Sequence, residues 1–208
     1  MEILDSKETR AIKCRLTGIM LVMVVSCACL LVSADTASAD TVYAAEKAYG
    51  EYDVKAALIL KFAKYVVWPE KVFKNSEEPI VIVILGKDPF KDKIDKIVAK
   101  KKVHGRKLEV KRLKKVGDLK NCHVLFVSRS EKTRLTPILD AVASKSVLTI
   151  ADMDGFAKKG GIVNLKTVKN KIRFQVNVDA AKQAQLKINS QLLKLSDIVE
   201  SEKKEDKK

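Results

Sequence analysis

The chain predicts an α/β protein, a single layered domain with a central mixed β-sheet flanked by helices. Three observations carry this. Segments with helical spacing alternate with short aliphatic runs. Residues 80–85 are apolar throughout, as in a strand covered on both faces. Around Asn170-Lys171 two strand-like runs, 162–168 and 172–178, read as a hairpin.

Residues 52–67 predict the first helix, stopped by Trp68-Pro69 because proline lacks an N–H and disfavours helical geometry before it. After the 80–85 strand, Gly86-Lys87-Asp88-Pro89 predicts a turn with Asp88 as N-cap, and a helix to about residue 100. Residues 107–113 alternate polar and apolar, so this strand belongs nearer an edge than the wholly apolar 124–127. A helix is predicted over 130–143, with Pro137 kinking it or delaying its start, then a strand over 147–151. Glycines at 155, 160 and 161 frame an irregular stretch before the hairpin. A closing helix is predicted over 179–199, because Ala181, Ala184, Ile188, Leu192, Leu195 and Val199 recur at helical steps.

The first helix has two apolar faces. Ala56, Ile59, Leu60, Ala63, Val66 and Val67 fill one, and Val54, Leu58, Phe62 and Tyr65 form a second among Lys55, Lys61 and Lys64. The second face is predicted to be covered within the chain or to meet a partner or a second copy, and Val54, Leu58, Phe62 and Tyr65 are the candidate contact residues.

Residues 1–39 read as a secretory signal. Lys7, Arg10, Lys13 and Arg15 precede a low-polarity run from Leu16 to Val32, and Ala37-Ser38-Ala39 offers a small-x-small cleavage site. The expected product is periplasmic and begins at Asp40, with a flexible N-terminus to residue 50, a domain over 51–200 and a disordered charged tail over 201–208. Val24-Val25-Ser26-Cys27 offers the alternative of a lipid anchor at Cys27.

The formal net charge of +15 stays with the exported part, since the signal holds equal numbers of acidic and basic residues. Acidic partners are expected. Export argues against nucleic acid as the target of the basic stretch 100–107, leaving the anionic headgroups of a membrane surface, cell-wall polymers, an acidic protein, or simply a solvated lysine-rich turn. Cys14, Cys27 and Cys29 leave with the signal, so Cys122 is expected as a free thiol without an intramolecular disulfide.

No catalytic residue is assigned. There is no G-x-S-x-G elbow, and adjacent Cys122 and His123 on a strand would point to opposite faces. Two histidines and one retained cysteine do not make a zinc site, and no metal or cofactor is expected. The strand ends bring polar groups to the edge where open α/β sheets bind ligands. Asp88, Glu131 and Asp152, with Arg106 and Arg173, form a candidate polar cluster, either structural or for an anionic ligand, with the two arginines locking Asp152 or Glu131.

In order along the chain, Val54-Lys55-Ala56-Ala57, Trp68-Pro69, Leu85-Gly86-Lys87-Asp88-Pro89-Phe90, Val103-His104-Gly105-Arg106, Cys122-His123-Val124-Leu125-Phe126-Val127-Ser128, Gly160-Gly161-Ile162 and Ile172-Arg173-Phe174 resemble the YfiR-like family of exported bacterial repressors. The resemblance implies a periplasmic α/β protein, a homodimer, that binds the periplasmic sensory part of an inner-membrane diguanylate cyclase and holds it inactive without catalysis. It also implies disulfide-linked redox control. Here the sequence departs from the family, since Cys122 has no second cysteine in the expected product. The alternative is a small-ligand sensor or solute-binding protein using the strand-end cleft.

Overall fold

Helix α1 (Glu51–Tyr65) opens at Gly50, whose N–H donates to the Asp53 carboxylate at 2.9 Å and so satisfies one free amide of the first turn. The computed structural model describes residues 50–202. The expected signal, nearly all of the expected flexible N-terminus, the alternative anchor at Cys27 and most of the charged tail lie outside the described residues. Among the described residues no helix is long and apolar enough to cross a membrane.

The first helix ends two residues before the predicted boundary. Val66 and Val67 become the short strand β1 (Val66–Val67), which pairs antiparallel with β9 (Lys187–Ile188). Two β-branched residues ahead of Trp68-Pro69 favour the extended state once a partner strand is present.

The remaining strands are β2 (Ile80–Leu85), β3 (Lys102–Val103), β4 (Arg106–Leu113), β5 (Val124–Val127), β6 (Leu148–Ala151), β7 (Val163–Val168), β8 (Lys171–Asn177) and β10 (Asp197–Val199). They form one mixed sheet in the order β10-β8-β7-β6-β5-β2-β4-β3. From β4 across to β7 every neighbour is parallel, with Ile82 paired to Val110 on one side and to Val124 on the other. The half-buried β4 lies next to the short edge strand β3, as its alternation predicts.

Alternate residues of the central strands face opposite layers, which is why these runs are apolar throughout. Ile80, Ile82, Ile84, Val124, Phe126, Leu148 and Ile150 pack with α1 and with α2 (Lys93–Val98). Val81, Val83, Leu85, Leu125 and Val127 pack with α3 (Leu135–Val142) on the other side. Each such large aliphatic side chain, fully buried, contributes about 1.5–3 kcal/mol.

Several boundaries move for local reasons. Asp88 does not cap α2; its carboxylate accepts the Phe90 N–H at 2.7 Å, and the helix begins only at Lys93. Pro137 delays α3: a 3-10 turn over Arg129–Arg134 comes first, and Pro137 falls in the first helical turn, where its missing N–H costs nothing. The hairpin turn is Lys169-Asn170, both in the left-handed region at φ 48° and 58°, one residue before the predicted pair.

The single closing helix does not form. Helix α4 (Val178–Gln183) is capped by Asn177, whose side-chain oxygen accepts the Ala180 N–H at 2.8 Å. It stops where Gln185 turns left-handed at φ 58° and the Leu186 N–H closes back on the Ala181 carbonyl at 2.9 Å. Strand β9, the short helix α5 (Ser190–Leu193) and β10 follow, with β10 parallel to β8. Ala181, Ala184 and Leu192 of the predicted stripe are buried and Leu195 is exposed, so apolar spacing persisted without one continuous helix.

Candidate functional site

Because β4, β2, β5, β6 and β7 run parallel, their carboxyl ends share one edge. Asp152 follows β6 there, its side chain only 1% exposed. Its Oδ2 accepts from Lys55 Nζ at 2.7 Å and from the Tyr52 hydroxyl at 2.9 Å, both on α1. Arg129, just after β5, donates through Nε to the Asp152 carbonyl at 2.8 Å and lies 3.3 Å from Oδ2. Lys55 also pairs with Glu51, which accepts from Thr167 of β7 at 2.8 Å. One network thus ties the first helix to three strands.

Burial sets its electrostatics. The Lys55 ammonium is sealed from solvent and lies 4.7 Å over the Tyr52 ring, so its desolvation is offset by two carboxylates and an aromatic face. Burial pushes the Tyr52 hydroxyl up to about 12, and its bond to Asp152 adds to this, so it stays a donor at neutral pH. The Lys55 hydrogen bond holds Glu51 below the usual carboxylate range. Asp152 Oδ1 is buried and meets no hydrogen-bond donor among the described residues. Beside Asp152 opens a cleft of about 480 Å³ lined in part by Arg129, Lys132, Asp154 and Lys166. Among the described residues, no group of three or more His, Cys, Asp or Glu could hold a metal.

The five-residue polar cluster predicted from sequence is split into separate sites. Asp88 pairs with Arg112 at 2.7 Å, and Arg112 also holds Asp95. Glu131 is buried and pairs with Arg134 at 2.7 Å. Gly86, at φ 91°, is needed there, because a Cβ would sit 2.6 Å from Glu131 Oε1. Arg106 stacks 3.8 Å over Phe73 and donates to the Asn75 and Glu78 carbonyls. Arg173 is exposed on β8, opposite Lys166. Neither arginine locks Asp152 or Glu131; Arg129 and Arg134 do.

The predicted contact face of α1 is also divided. Phe62 leaves it altogether, fully buried and edge-on to Phe174 at 5.0 Å. Leu58 and Tyr65 are half-buried against the core, and Val54 is 37% exposed. Lys55, read with Lys61 and Lys64 as a lysine on the second apolar face, is instead central to the buried network. Its spacing with Ile59 and Phe62, four and seven residues on, was the signal that it shares their inward face.

Cys122 is a free thiol whose pKa burial pushes up to about 12. Its neighbour His123 is buried, accepts the Val81 N–H on Nδ1 at 3.0 Å and stacks flat on Phe73 at 4.7 Å.

The model of the family described as YfiR/HmsC-like matches residues 52–197, from α1 to the start of β10. No curated protein matches the chain.

Proposed function

We propose that this chain, which belongs to the YfiR/HmsC-like family, is an exported regulator that represses a membrane-bound diguanylate cyclase by binding the cyclase's periplasmic sensory part. The observation that carries the reading is the match over 52–197, which takes in nearly all of the described fold. The geometry offers the rigid frame that a binding module needs. The groups at the strand edge are largely engaged with one another, as Asp152 is with Lys55, Tyr52 and Arg129, which makes a rigid scaffold.

A protein outside the membrane acts on a cytoplasmic domain only by preferring one of two receptor states, since equal affinity for both shifts nothing. The net charge of +15 favours an acidic receptor face and rapid encounter. Export follows residues 1–39, with a mature N-terminus at Asp40, and the working form is a homodimer. With Cys122 as the one cysteine after that cleavage, repression does not depend on a disulfide within one chain.

A second reading has one observation in its favour. Arg129, Lys132 and Lys166 surround the cleft beside Asp152, a setting for a small anionic ligand. Deleting the gene separates the two: under the repressor reading cyclic-di-GMP and biofilm rise, and the exported domain supplied in trans lowers both. Unchanged cyclic-di-GMP would leave the ligand-sensor reading ahead.

A further inference from the structure

At the sheet edge opposite β10, the β3–β4 hairpin and the segment after β1 enclose a second pocket, of about 580 Å³, that the network around Asp152 does not touch. Its walls include Val67, Trp68, Phe73, His104 and Arg106. Three features point outward. Val67 is 53% exposed, an apolar side chain open to solvent at the pocket wall. Trp68 is 6% exposed and its indole N–H meets no acceptor among the described residues, so an occupant supplying one is favoured. The hairpin stretch 100–107 carries Lys100, Lys101, Lys102, Arg106 and Lys107 without a carboxylate, and the four lysines are exposed.

The pocket is held in shape. Arg106 is fixed over Phe73 by its bonds to the Asn75 and Glu78 carbonyls, and Phe73 stacks on His123 beneath. His104, left-handed at φ 51°, places Nε2 3.0 Å from the Val66 carbonyl, joining the hairpin to β1. A preformed, largely apolar hollow lined by Arg106 and Glu70, beside a hairpin whose exposed lysines stand on its outer face, suits a segment that brings one apolar side chain and flanking acidic residues.

We propose that this pocket is the docking site for an acidic segment of the cyclase's periplasmic part, which seats an apolar side chain against Val67 and Trp68 while its carboxylates face the lysines of the hairpin. The proposal rests on the repressor reading and names the surface that reading needs.

The test uses the full chain exported in cells, with a photo-crosslinking amino acid in place of Val67 or, as a control at the opposite sheet edge, of Ile198. The probes are epitope-tagged membrane diguanylate cyclases of the same genome that possess a periplasmic segment. The expected result is a crosslink to one cyclase from position 67 and not from 198. Combined Lys102→Glu and Lys107→Glu should weaken that crosslink roughly tenfold at low salt. Trp68→Phe, which keeps an aromatic ring of smaller size and removes the N–H, should weaken it, with circular dichroism showing that the protein remains folded. A crosslink from 198 alone, a crosslink from 67 only to a second copy of this chain, or insensitivity to the lysine reversals overturns the proposal. Each of these leaves the repressor reading standing wherever deletion still raises cyclic-di-GMP; unchanged cyclic-di-GMP on deletion would instead remove that reading.

Discussion

Lys55 and Asp152 stand 97 residues apart in sequence and 2.7 Å apart in space, both sealed from solvent. Removing one partner leaves the other charge buried and uncompensated. Lys55→Met or Asp152→Leu should each destabilise the fold by about 3–5 kcal/mol, and the double substitution by clearly less than the sum. Chemical denaturation of the four proteins checks this; additive losses would show that the two groups act independently.

Phe62 and Val54 lie on the same predicted face and should behave differently. Phe62→Ala removes a fully buried ring from the core and should cost about 3–5 kcal/mol. Val54→Glu, at an exposed position, should leave the melting temperature nearly unchanged. If Val54→Glu nevertheless lowers the sedimentation coefficient, that part of α1 is a contact between copies.

His123 supplies a pH dependence. Burial lowers its pKa below the ordinary value of 6.5, and its Nδ1 already accepts the Val81 N–H, so a proton there is disfavoured in the folded state. The unfolded chain therefore binds more protons near this range. The stabilisation is complete above 6.5 and is lost as pH falls from 6.5 toward the lowered folded-state pKa. Unfolding free energies between pH 7.5 and 5 should fall, and His123→Gln, which gains no proton, should flatten that slope even where it lowers stability overall.

Cys122 should react slowly. With its thiol pushed up to about 12, the native protein holds almost no thiolate at pH 8, so an alkylating reagent should modify it far faster after denaturation. Equal rates in both states would contradict the burial, and a disulfide between copies whose reduction abolishes partner binding would restore a redox role.

The central strands were legible because β2, β5 and β6 are covered on both faces, and such runs declare themselves as continuous aliphatic stretches. The end of the chain was not. Residues 181–199 keep helical apolar spacing, yet Asn177 and Asn189 cap two separate helices and the left-handed Gln185 divides them. Spacing does not record that Asp197–Val199 finds hydrogen-bonding partners on β8. Asp152 was legible as a polar group at a strand end, but its partner was not. A lysine on a helix reads as solvated unless its neighbours on the inward face are weighed first, and the compensating carboxylate lies far away in sequence.

The most direct test places the purified cyclase in nanodiscs and adds the mature domain from Asp40 onward to the side bearing the periplasmic part, with cyclic-di-GMP formation as the readout. The account predicts saturable binding that salt weakens, and synthesis that falls in step with occupancy. Binding to saturation with synthesis unchanged, or no binding at low salt, would contradict it.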